Sequence, residues 1–130
     1  MTTPKKRRNQ EWLKKRRKRG MRGYPIGTIA FYGPTNTLAT KIAVGVILEE
    51  DSEPEYLQRW FSDNGDIRED ADTLDNAIEF LRSHSARSVI MMDGVIGCPH
   101  AEGIDYPSGE ACPQCPFWAG RDRFTGELIQ

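Results

Sequence analysis

Residues 27–48 read "GTIAFYGPTNTLATKIAVGVIL". Thr28, Ile29, Phe31 and Tyr32 are β-branched or aromatic, a polar Gly-Pro-Thr-Asn-Thr turn signal follows, and Ile42, Val44, Val46 and Leu48 then recur at every second position. That period places one set of side chains on a single strand face, with Gly45 and Ile47 on the other. Two such runs joined by a polar turn predict a β-hairpin. The glycine and the Thr-Lys pair of residues 33–41 lack the second glycine before lysine that a phosphate-cradling loop needs, so the segment reads as a turn.

Downstream, an acidic turn leads to "YLQRWFS" (56–62), too short to separate the strand period from the helix period, with strand preferred. Asp72 is predicted to cap a helix in which Leu74, Ala77, Ile78 and Leu81 share one face, with Asp75 in the first turn and His84 and Arg87 closing it. The run "SVIMM" (88–92) has the length and continuity of a strand buried on both sides, and it delivers the chain to Cys98. The expectation is an α+β fold: an antiparallel hairpin or sheet of three to four strands with one packed helix, followed by a zinc-knuckle loop. The boundaries expected are a basic arm at 1–23, an α+β core at 24–96, and the knuckle with a C-terminal tail at 97–130. The order of elements resembles the start of a ribonuclease-H-like fold. Such nucleases hold magnesium with a carboxylate on the first strand, and residues 28–32 offer none, so the resemblance implies shape without that activity.

All three cysteines and one of the two histidines lie between residues 97 and 118, "GCPHAEGIDYPSGEACPQCPFW". Cys98 and His100 form a CxH, eleven residues intervene, and Cys112 and Cys115 form a CxxC. Two close pairs across a short loop supply four soft donors to one tetrahedral ion. Pro99 and Pro113 follow cysteines, where a fixed backbone angle favours the tight turn. Three thiolates with one imidazole suit Zn(2+), and four protein ligands leave no open position for water or substrate, which predicts a structural site. An iron–sulfur centre is the alternative cofactor. Asp63, Asp66, Glu69, Asp70 and Asp72 miss the spacing of a calcium loop and read as a solvated acidic loop.

Three resemblances bear on this cluster. CxH followed by CxxC looks like the Rieske iron–sulfur pattern, with Cys115 standing where that pattern has its second histidine. His100-Ala101-Glu102 together with Cys112 and Cys115 resembles the signature of zinc-dependent nucleobase deaminases, which implies Glu102 as a proton shuttle. Nine residues separate Glu102 from Cys112, Ala111 stands where that family has proline, and Cys98 is available to close the open position. Finally, "GIDYP", "CPQCPFWAGRDRFTGE" and "YPIGTIAFYGP" resemble a group of small uncharacterised bacterial proteins that end in the same stretch; this implies a bacterial origin and no particular activity.

The formal net charge of −1 conceals a division. Residues 1–23 carry eleven Lys and Arg against the lone Glu11, while the remainder carries seven basic and eighteen acidic side chains. Such an arm repels itself when free and orders against a polyanion, where arginine forks suit phosphate and Trp12 suits an unpaired base. The residues expected to contact RNA are Lys5, Lys6, Arg7, Arg8, Trp12, Lys14, Lys15, Arg16, Arg17, Lys18, Arg19 and Arg22. A helix over roughly 10–18, capped by Asn9, is compatible with this segment, but Trp12 and Leu13 alone give it no apolar stripe. The arm looks like the terminal extensions of ribosomal proteins, so a ribosomal RNA is the partner expected. Folding back onto the acidic body is the plainer alternative, and that body is also a candidate surface for a protein partner. Past the CxxC, Phe117, Trp118, Arg121, Arg123 and Phe124 interleave aromatic and cationic groups, read as a cover for the knuckle. No run approaches the roughly 20 apolar residues that span a bilayer, no secretory signal is evident, and clustered cysteines beside a histidine suit a reducing compartment. The expectation is a cytoplasmic, non-enzymatic protein without a membrane partner.

Overall fold

The computed structural model describes residues 4–63 and 65–129. The elements run α1 (Pro4–Arg19), β1 (Ile26–Tyr32), β2 (Lys41–Ile47), β3 (Tyr56–Phe61), a 3-10 turn (Ile67–Glu69), α2 (Ala71–Ser83), β4 (Ser88–Val95) and a second 3-10 turn (Pro116–Trp118). The fold is α+β, with one four-stranded sheet ordered β3-β2-β1-β4. The hairpin of β1 and β2 is present, and residues 56–61 form a strand as preferred from sequence.

β4 returns beside β1 in the parallel sense. The Pro25 carbonyl accepts from the Arg87 amide at 2.8 Å and the Phe31 carbonyl from the Ile96 amide at 2.9 Å, so both residue numbers rise together. The sheet is therefore mixed. β4 ends the strand order, and Ile90 is 47% exposed, so the strand is an edge buried on one face rather than on both. A continuous apolar run carries no period, which is why the sequence did not reveal which face stays wet. Among the described residues no helix is long and apolar enough to cross a membrane.

The described residues fall into two compact units. One lies within Met1–Ile29, Ala43–Trp60 and Asp70–Met91, and the other within Ala30–Ile42, Phe61–Glu69 and Met92–Gln130. In the first, Ile26, Ile29, Val44, Val46, Ala77, Ile78 and Leu81 are buried, each large one contributing about 1.5–3 kcal/mol. Leu81 leaves no room for a side chain at Gly27, since a Cβ there would stand 2.6 Å from its Cδ2. Ring packing of Trp60 on Phe80 and of Tyr56 on His84 joins β3 to α2. In the second unit Phe31, Ala39, Ile42, Ile67, Val95 and Ile96 are buried with Cys112 and Cys115.

The N-cap of α2 is Asp70 rather than Asp72: its carboxylate accepts from the amides of Asp72 and Thr73, both at 3.1 Å. Asp72 occupies the first turn, and Asp75 lies beyond it. The cause is two candidate carboxylates two residues apart, of which only Asp70 has the extended backbone a cap requires. Asp66, taken from sequence as part of a solvated loop, is a structural clamp. It accepts from the amides of Ala39 (3.2 Å) and Arg68 (2.9 Å) and pairs with the Arg68 guanidinium. The Arg68 hydrogen bond holds its carboxyl well below the usual range.

α1 differs most from expectation. It is longer than residues 10–18, and Asn9 is not its cap but a fully buried interior residue. Asp72, Asp75 and Glu79 line one face of α2 at i, i+3 and i+7, and α1 docks on that face through polar groups. The Asn9 amide donates to Asp75 and to Glu79 (2.9 Å), and its oxygen accepts from Arg82 at 2.7 Å. Lys6 pairs with Asp72 and Lys5 with Glu79. A helix this cationic repels itself, and the acidic face opposite offsets that repulsion. The fold-back alternative therefore describes α1, and it needs no apolar stripe.

Replacing Asn9 with Asp at neutral pH removes both donors and sets a third carboxylate against Asp75 and Glu79. The expected cost is about 2–4 kcal/mol of docking energy, enough to release α1. Limited proteolysis within residues 5–19 should then become rapid while the rest of the chain resists; unchanged cleavage would show that Asn9 does not hold the helix.

Candidate functional site

The metal-ligand candidates converge. One donor atom from each of Cys98, His100, Cys112 and Cys115 falls within 4.8 Å of every other. The imidazole turns Nδ1 to the sulfurs, at 3.2 Å from Cys98, 3.5 Å from Cys112 and 3.5 Å from Cys115. Donors at usual Zn–S and Zn–N bond lengths stand about 3.5 Å apart in a tetrahedron, so these separations fit one four-coordinate ion. Cys112 and Cys115 are buried, and Cys98 and His100 are partly so.

Local backbone explains the convergence. The His100 amide donates to Cys98 Sγ at 3.2 Å, and the Cys115 amide donates to the Cys112 carbonyl at 3.2 Å, closing the two knuckles. The loop between them is tied by Gly103 N–H to the Tyr106 carbonyl and by Ala101 N–H to Asp105.

The hairpin then anchors both halves of the ligand set. The Gly33 amide donates to the Gly97 carbonyl at 2.9 Å, and Lys41 Nζ donates to the Pro99 carbonyl at 3.1 Å, which brackets Cys98. Arg123 Nε donates to the Ile96 carbonyl just upstream. On the other side the Trp118 indole donates to the Gly33 carbonyl at 2.8 Å. Gly33 thus bonds the residue before Cys98 through its N–H and Trp118, three residues past Cys115, through its C=O. Sequence reasoning missed this role, because Gly33 before Pro34 signals a turn and nothing in the chain marks what the turn touches.

Metal-free, the buried thiols favour their protonated forms, which a bound cation must displace. Burial pushes the Cys98 thiol up to about 12 and raises Cys115 as well. At Cys112 burial also raises the value, but hydrogen bonds from the Gln114 amide and the neighbouring thiols outweigh it and the net shift is downward. Three thiolates this close repel one another, and a coordinated dication reverses that balance, since a bound thiol gives up its proton outright.

Glu102 is not a member of the group. Its carboxylate is exposed and accepts from the Gly109 amide at 3.2 Å, within the loop that separates the two knuckles. Phe117 and Trp118 pack edge to face at 5.0 Å, and Arg121 lies over Phe117 at 4.4 Å, whereas Phe124 is 63% exposed.

The residues expected to meet RNA are divided by the docking of α1. Lys5, Lys6 and Arg16 contact other parts of the first unit: Lys5 reaches Glu79, Lys6 reaches Asp72, and Arg16 Nε donates to the Ala86 carbonyl at 3.3 Å. Trp12, expected to be open for a base, has the Arg16 guanidinium 4.2 Å above its ring. Arg7, Lys14, Lys15 and Lys18 are exposed and, at helical spacing, lie on the side of α1 away from Asn9, whereas Arg8, also exposed, lines a cleft with Glu79 and Arg82 of α2. Arg17 and Arg19 are exposed in the last turn, and Arg22 is exposed beyond it.

No protein-family model, curated protein sequence or solved structure matches this chain. The class that fold and site define is accordingly an α+β protein with a Cys3His group positioned for a metal ion.

Proposed function

We propose that the protein is a non-enzymatic zinc protein, in which the Cys3His site holds the C-terminal region in shape and the basic N-terminal helix contacts RNA, with a ribosomal RNA as the natural candidate. The observation that carries the metal assignment is the single imidazole nitrogen facing all three sulfurs at 3.2–3.5 Å. Four such donors complete a tetrahedron, and a complete tetrahedron supports architecture rather than chemistry. Three sulfurs and one nitrogen favour zinc over harder cations. Elemental analysis should give one zinc per chain and a colourless protein; iron with visible absorption would replace zinc by an iron–sulfur centre.

The RNA reading is supported by the four exposed cations on the outer side of α1, Arg7, Lys14, Lys15 and Lys18. Binding driven by those charges should fall with salt at a logarithmic slope of about 3 for a single strand. Deletion of residues 1–23 should abolish it. Filter binding across a salt series checks both, and affinity that survives the deletion or ignores salt would remove the arm from the contact.

A further inference from the structure

At the C-terminal end of α1, four arginines line one cleft of about 480 Å³: Arg16, Arg19, Arg22 and Arg87. An adjoining cleft of about 440 Å³ shares Arg16 and Arg87 and adds Trp12, Tyr24 and Arg82 to its walls. The arginines come from three places in the chain, namely the last turns of α1, the turn after it, and the residue before β4. Their meeting is therefore a product of folding and not only of a basic arm.

The backbone holds them together. Ser88, fully buried, accepts from the Arg22 amide at 2.6 Å and donates to the Gly23 carbonyl at 2.8 Å, which fixes Arg22 beside the segment that carries Arg87. Arg16 is tied to the Ala86 carbonyl, next to Arg87. Among the described residues no carboxylate lines either cleft, and none pairs with Arg16, Arg19, Arg22 or Arg87. Burial, then the charges of Arg19 and Arg82, draws the Arg16 guanidinium down from its ordinary value. A fold that gathers like charges without a counter-charge leaves a place for an anion.

Geometry narrows the anion. Planar forks with paired donors match phosphate oxygens two at a time, and the aromatic wall at Tyr24 suits a base attached to that phosphate. We propose that this arginine-lined cleft seats the phosphodiester backbone of a single-stranded RNA, and so forms the specific part of the contact. The proposal rests on the RNA reading above and adds Arg87, which lies outside the basic arm.

The experiment uses the full chain with its metal and a fluorescent single-stranded RNA oligonucleotide at about 0.15 M salt, near physiological ionic strength. Arg87→Gln and Arg19→Gln should each weaken binding roughly tenfold, while Arg7→Gln and Lys14→Gln, equal losses of charge on the outer side of α1, should cost roughly twofold. Arg87→Lys should recover only part of the loss, because a point charge lacks the fork. Millimolar inorganic phosphate should compete with RNA in the wild type and not in Arg87→Gln. Equal weakening by all four Gln variants would overturn the cleft and leave the arm's role standing. Failure of the wild type to bind RNA would overturn both. Phosphate binding that Arg87→Gln abolishes, alongside RNA binding that it leaves intact, would assign the cleft to free phosphate and overturn the proposal. Both arginines are exposed, and unchanged thermal melting certifies each variant's fold.

Discussion

Cys112→Ser should release the metal and cost more than about 4 kcal/mol, a loss that few single substitutions reach and that removal of a metal does. The argument starts from burial: Cys112 is only 7% exposed, so its replacement leaves a hydroxyl in the same space without a thiolate to offer zinc. A three-ligand remnant admits water, and the bonds that depend on ligand placement then loosen. Thermal unfolding should move down by roughly 12 °C or more for a chain of this size. Chelation of the wild type should reproduce the shift, and the Trp118 indole proton, bonded to Gly33, should report it by exchange. His100→Cys separates a ligand from a bystander, because it restores a fourth soft donor and should retain zinc where His100→Ala does not. Acidification acts in the same direction as chelation. Buried thiols whose metal-free values are raised, Cys98 to about 12 and Cys115 upward, hold their protons until the ion displaces them. Affinity therefore rises with pH and falls as protons compete for sulfur. Full zinc occupancy and unaltered melting in Cys112→Ser would refute the structural role.

What was legible in the sequence was what is local in the chain. Cys98 with His100, and Cys112 with Cys115, are pairs whose members sit two or three residues apart, so spacing alone implied their convergence. The hairpin and the buried face of α2 announced themselves through periods of two and of 3.6, because burial on one face imposes those periods. Asn9 illustrates the opposite case. An asparagine ahead of a helical stretch reads as a cap, yet its partners lie 66 and 70 residues away, and a docking surface made of hydrogen bonds leaves no apolar period to count. Arg87 is similarly silent: as a lone cation closing a helix it looks like dipole compensation, and only the fold sets it beside Arg16, Arg19 and Arg22. Asp66 was lost among neighbouring carboxylates whose separate duties, clamp and cap, depend on backbone angles that the residue type does not state.

Gly33→Ala carries the second large effect, and it tests whether the hairpin or the ion sets the geometry of the site. A Cβ on Gly33 would lie 1.6 Å from the Leu38 carbonyl oxygen and 2.7 Å from its carbon. Both are backbone atoms, so no rotamer change can relieve the overlap and one side of the turn must move. The cost expected is about 3 kcal/mol or more, at the upper end of overpacking. The displacement propagates because Gly33 N–H holds Gly97, next to Cys98, while Gly33 C=O holds Trp118, three residues past Cys115. Zinc affinity should fall with it, tenfold for every 1.4 kcal/mol of misplacement that binding must repair. Trp118→Phe is the graded companion: it deletes one hydrogen bond, worth about 1 kcal/mol, and preserves the ring against Phe117. Competitive titration with a chromogenic chelator should therefore rank wild type above Trp118→Phe and Trp118→Phe above Gly33→Ala. Wild-type affinity in Gly33→Ala would mean that the four ligands organise themselves around the ion, with the hairpin as bystander.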